Sequence, residues 1–119
     1  MTITDSDLVG EIRRLAGENP DYVYPDAYCR YVKEGEGSCL VGQALINLGV
    51  PVNWFLDHSS DYNDLRNAGT FSEIRDLVPG LKVSDLVTDW VDTAQSSQDD
   101  QTPWAEAVEG ADQCYPEVA

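Results

Sequence analysis

Between residues 29 and 50 the chain reads "CRYVKEGEGSCLVGQALINLGV": two cysteines flank a glycine-and-glutamate turn, and a long apolar run follows. Three chemistries fit this segment in outline. Glycines ahead of a helix start can cradle a phosphate on backbone N–H groups. Here, however, Glu34 and Glu36 stand on the loop and no lysine follows in the Walker pattern, so the loop repels the anion it would have to hold. The second chemistry is nucleophilic. Cys39 falls in the first turn of the expected helix, where exposed N–H groups lower a thiol pKa. His58, the only histidine, follows Asp57, so Cys39, His58 and Asp57 can be assembled into a thiol-dependent enzyme or a small-ligand module. Against this, an unpaired cysteine is usually a small buried hydrophobe, and no local motif supports the set.

The third chemistry is zinc binding. Cys29, Cys39, His58 and Cys114 would make a Cys₃His set, yet no two of them stand two to four residues apart, as ligands do in knuckles and ribbons. The acid-rich "DHSSDYNDLRN" lacks the central glycine and closing glutamate of an EF-hand loop. No metal and no cofactor are expected. A Cys29–Cys39 disulfide across the turn is sterically conceivable but needs an oxidising setting. Three cysteines cannot all pair within one chain, which fits reduced thiols.

Charge is the strongest signal in the composition. Seven Lys and Arg stand against 22 Asp and Glu, a net of −15. Residues 1–82 hold 13 acids and all seven bases, whereas residues 83–119 hold nine acids and no base. Such a surface repels nucleic acid and anionic lipid and attracts a basic protein surface. The carboxylates Asp85, Asp89, Asp92, Asp99 and Asp100 concentrate this charge on one helix face and the turn beyond it. They are the candidate partner-binding residues, either as a docking face or as an imitation of nucleic-acid phosphates. The plainer reading is the wet face of an amphipathic helix.

These residues need elements to hold them. "TITDSDLVGEIRRLAGENP" predicts a helix capped by Thr4 or Ser6, with an apolar stripe of Leu8, Ile12 and Leu15, stopped by Gly17 and Asn19-Pro20. "AYCRYVK" has strand composition, and "EGEG" reads as the turn of a short hairpin. Ser38 then caps a central apolar helix over Cys39–Leu48, ended by Gly49 and Pro51. Asn53 can cap a turn carrying Trp54, and Thr70 with Glu73 fits a capping box before Pro79-Gly80. From Ser84, Leu86, Val87, Trp90, Val91 and Ala94 share one helical face. Thr102 caps a last helix with Pro103 at its first position. The expected core includes Leu8, Ile12, Leu15, Trp54, Leu77, Leu86, Trp90 and Trp104.

The fold expected is therefore mainly α: a compact single-domain bundle of five to six helices with one short β-hairpin. It spans residues 1–119, with 111–119 as a tail. No apolar run approaches the roughly 20 residues that span a bilayer, and the N-terminus lacks a signal-peptide core, so the expectation is a cytoplasmic protein.

Two segments carry a resemblance. "SCLVGQALINLGV" behind a "CRYV" strand, with "AQSSQDDQTPWAEAV" much later, resembles a set of small uncharacterised proteins of actinobacterial phages. The match covers residues 29–50 and 93–108, about a third of the chain, and neither segment is an enzymatic motif. The resemblance implies a phage or prophage accessory protein in a host-cell cytoplasm, and no activity. With the acidic face, it leads to a non-enzymatic protein that binds and modulates a host protein with a basic surface, as a counter-defence factor or nucleic-acid mimic. A homodimer through Trp54 or Trp104 is a further expectation.

Overall fold

The computed structural model describes residues 2–25, 30–57 and 70–118. The N-terminal helix α1 (Asp5–Glu18) is preceded by a two-residue strand β1 (Ile3–Thr4). Thr4 caps it in a reciprocal box with Asp7: each side chain accepts from the other residue's backbone N–H, at 3.3 and 3.0 Å. The stripe Leu8, Ile12 and Leu15 is buried, as its spacing predicts.

The hairpin β2 (Val32–Lys33) and β3 (Glu36–Gly37) pairs Val32 with Gly37 and Lys33 with Glu36. Its two loop residues, Glu34 and Gly35, both have positive φ, 54° and 80°. That is the backbone sense of a two-residue turn matching the twist of paired strands, and it explains the glycine. Helix α2 (Leu40–Asn47) follows directly and is buried along Leu40, Val41, Gly42, Ala44 and Leu45. A short α3 (Val52–Asp57) inserts Phe55, stacked on Tyr31 at 5.3 Å between ring centroids.

Beyond the undescribed segment, α4 (Phe71–Ile74) starts where the Glu73 carboxylate accepts from the Thr70 N–H and hydroxyl. The strand β4 (Leu81–Lys82) then lies parallel to β1, pairing Ile3 with Leu81 and Thr4 with Lys82. The two long C-terminal helices, α5 (Asp85–Asp99) and α6 (Trp104–Cys114), pack on each other and on α1. The Cα radius of gyration is 12.9 Å, close to the roughly 13–14 Å expected of a domain this long. The fold is mainly α, with six helices and one antiparallel hairpin among the described residues.

Several local expectations are corrected. The cap of α2 is Cys39, whose sulfur accepts from the Gly42 N–H at 3.4 Å; the Ser38 hydroxyl instead meets the Tyr24 hydroxyl at 2.8 Å. Pro103, not Thr102, is the cap residue of α6. Its ring offers no side-chain acceptor, and distant carbonyls serve the first N–H groups of α6 instead. Trp104 N–H donates to Tyr22 O at 3.0 Å and Ala105 N–H to Pro20 O at 3.1 Å. Leu77 is exposed, since α4 stops at Ile74 and the chain turns before reaching it. Trp54 and Leu86 are half-buried rather than central.

Candidate partner-binding surface

The start of α2 is closed to any ligand. The Leu40 N–H donates to the buried Gln98 side-chain oxygen at 2.7 Å, and Gly42 N–H is taken by Cys39. A Cβ on Gly42 would stand 2.2 Å from the Tyr31 carbonyl oxygen, so the backbone just before β2 lies directly on the helix. No space is left for a phosphate, while Glu34 and Glu36 project into solvent on the hairpin.

Cys39 is fully buried and disulfide-bonded, so in this form it carries no thiol. This departs from the expectation of reduced cysteines. Cys29, the residue weighed as its partner, lies outside the described residues, as does His58. Asp57 is exposed at the end of α3. Cys114 is a free, exposed thiol. Among the described residues no three His, Cys, Asp or Glu side chains gather as a metal site would require.

The acidic residues of α5 divide into engaged and exposed carboxylates. Asp92 accepts from the Ser72 N–H at 3.3 Å, supplying the first turn of α4, and Asp99 accepts from the Gln98 side-chain amide at 3.0 Å. Both are half-buried. Asp85 pairs with Arg75 at 2.5 Å but remains 88% exposed, so water screens most of that attraction. The neighbouring carboxylate holds the Arg75 pKa above its usual value. Asp89 and Asp100 are exposed, and on α6 Glu106 and Glu109 are exposed as well. The stripe expected from periodicity is therefore incomplete, and the charge continues instead onto α6.

Several of the chain's arginines are spent on its own acids. Arg14 binds Glu11 and Glu18 on the outside of α1. The Arg14 guanidinium, with help from Asn47, holds the Glu11 carboxyl below its usual pKa. Arg13 makes a two-pronged pair with Asp112 of α6, at 2.7 and 2.8 Å, and lies over the Trp90 ring at 5.2 Å. The Trp90 indole N–H donates to the same carboxylate at 3.0 Å. Arg13 first, then Trp90, lowers the Asp112 pKa. By contrast, the indole N–H of Trp104, a residue only 1% exposed, has no acceptor among the described residues.

Sequence reasoning passes over Gln95 and Gln98, both buried on α5. Gln95 donates to the Tyr31 hydroxyl at 3.0 Å and Gln98 accepts from the Leu40 N–H, so the segments 29–50 and 93–108 meet in space. A signal exists in the spacing: residues 87, 91, 94, 95 and 98 continue one face, and only their polarity disguises it. Gln98 ties α5 to the start of α2, and Gln95 ties it to the residue just before β2. No helix among the described residues is long and apolar enough to cross a membrane. The chain matches no protein-family model, no curated protein and no solved structure.

Proposed function

We propose that this is a non-enzymatic binding protein whose exposed α5–α6 carboxylates dock on a basic surface of a partner protein. The observation that carries this is the fate of the charge. Nine acids and no base occupy residues 83–119. Asp85 and Asp112 meet an arginine across the fold, whereas Asp89, Asp100, Glu106 and Glu109 stand exposed. The result is an excess of negative charge on a rigid helical scaffold, which speeds and orients encounter with a basic surface. The phage-like segments supply the context: an accessory protein acting on a host-cell protein.

General docking is favoured over nucleic-acid mimicry by charge density. The four aspartates from Asp85 to Asp99 extend over about 21 Å of helix at 1.5 Å per residue. A DNA duplex of that length carries roughly one charge every 1.7 Å.

The test is an affinity pull-down from actinobacterial lysate at low and high salt. The comparison is a variant combining Asp89→Asn, Asp100→Asn, Glu106→Gln and Glu109→Gln. These residues are all exposed and take no part in the core, so the variant keeps its fold. A basic protein retained at low salt, released at high salt and absent with the variant is the expected result. Retention indifferent to both salt and variant, or no retention at all, overturns the reading.

A further inference from the structure

A cleft of about 430 Å³ opens between the first half of α1, the first turn of α5 and residues 117–118. Its apolar lining includes Val9, Leu86, Val87 and Val118, and Asp5, Arg13 and Glu117 border it. This explains why Leu86 is only half-buried although the α5 pattern assigns it to the core. Gly10 also lines the cleft, and no described residue lies within 4 Å of where its Cβ would stand, so α1 adds no bulk there. The volume falls in the range of sites that enclose small ligands or single side chains, roughly 300–1,000 Å³.

Charge decides the occupant. Arg13 contributes little net field because both its prongs are on Asp112. The first turns of α1 and α5 both border the cleft, and each helix N-terminus adds roughly half a positive charge. Asp5 and Glu117 supply two full negative charges against that, so the cleft is net negative by about one charge. A phosphate or carboxylate is disfavoured. An alkyl chain ending in an ammonium or guanidinium matches both the apolar lining and the acidic border.

We propose that this cleft is a site for an alkyl cation, namely a lysine or arginine side chain of the basic partner. Its stem lies against Val9, Leu86 and Val87, and its head sits between Asp5 and Glu117. The proposal rests on the reading of the protein as a binder of basic surfaces and adds a specific pocket to it.

The probe is n-butylguanidinium, titrated into protein with labelled Val and Leu methyl groups and followed by NMR. Its neutral isostere n-butylurea and the anion pentanoate are the controls. Saturable shifts of Val9, Leu86, Val87 and Val118 are expected with n-butylguanidinium, binding about fivefold weaker with n-butylurea, as befits exposed charge pairs, and none with pentanoate. Asp5→Asn with Glu117→Gln should bring the guanidinium down to the level of the urea. The Asp5→Asn change keeps a side-chain oxygen to accept from the Ser84 N–H, a bond that Asp5 makes at 2.7 Å, and the same spectra report the fold. Equal binding of all three probes, or shifts centred elsewhere, overturns the proposal. Saturation of the cleft with no basic protein captured from lysate supports the site and sinks the partner reading. Capture of a basic protein that survives Asp5→Asn with Glu117→Gln keeps the partner reading and sinks the cleft.

Discussion

Arg13 and Asp112 meet in a two-pronged ion pair across 99 residues of sequence, with the Trp90 indole donating to the same carboxylate. One acid thereby ties α1, α5 and α6 together. Asp112 is only partly exposed, so its loss leaves both a guanidinium and an indole N–H short of an acceptor.

Asp112→Asn is expected to destabilise the fold by about 1–2 kcal/mol, toward the low side for a charged hydrogen bond because water still reaches Arg13. The pH dependence follows from the lowered folded-state pKa of Asp112. Its contribution is fully present above the unfolded value, about 3.9, and is lost as pH falls through the lower folded value. Urea melts at neutral pH and between about pH 5 and 2 should therefore show a shallower acid decline in the variant. An unchanged acid slope would remove Asp112 as the linked group.

Gln98→Leu should cost about 1–3 kcal/mol, because the buried Leu40 N–H loses its acceptor and a backbone amide cannot turn to find another. Gln95→Leu should cost less, since the Tyr31 hydroxyl it serves can rotate. Denaturant midpoints of the two variants, compared at equal slope, decide the order.

Two glycines make a contrasting pair. Gly42→Ala places a methyl 2.2 Å from the Tyr31 carbonyl oxygen, against backbone that cannot yield, and should destabilise by about 3 kcal/mol or more. Gly110→Ala lies inside α6 with no described residue within 4 Å of the new carbon and should stabilise by about 0.5–1 kcal/mol. Thermal melts of both proteins check the sign as well as the size.

Thiol labelling separates binding from thiol catalysis. In native, unreduced protein iodoacetamide should modify the exposed Cys114 and leave the buried, disulfide-bonded Cys39 untouched. Mass mapping of the labelled peptides, with Cys114→Ser as control, gives the answer. Rapid alkylation of Cys39 that slows on His58→Ala would revive the enzyme reading.

Much of the fold is legible locally. The start of α1, which residue type narrows to Thr4 or Ser6, the tight turn after Lys33, the apolar face of α1 and most of that of α5 follow from residue type and spacing within one turn or one strand. What is not legible depends on distant partners. Ser38 looks like a better cap than Cys39 until Tyr24 occupies its hydroxyl. The parallel contact of Ile3 with Leu81 spans only two residues and leaves no alternation to detect. Periodicity marks the acidic face but cannot foresee that Asp92 serves α4 and Asp99 accepts from Gln98. The cleft has no signal in the sequence, since its walls come from opposite ends of the chain.

The pairing of β1 with β4, and the carbonyls that Pro20 and Tyr22 lend to α6, also constrain how the molecule is made. Helix α1 meets α2 soon after it in sequence, whereas its contacts with α5 and α6 wait for segments that follow some 70–100 residues later. The slow part of folding is therefore expected to be long-range loop closure, which joins β1 to β4 and α1 to α6, more than helix formation.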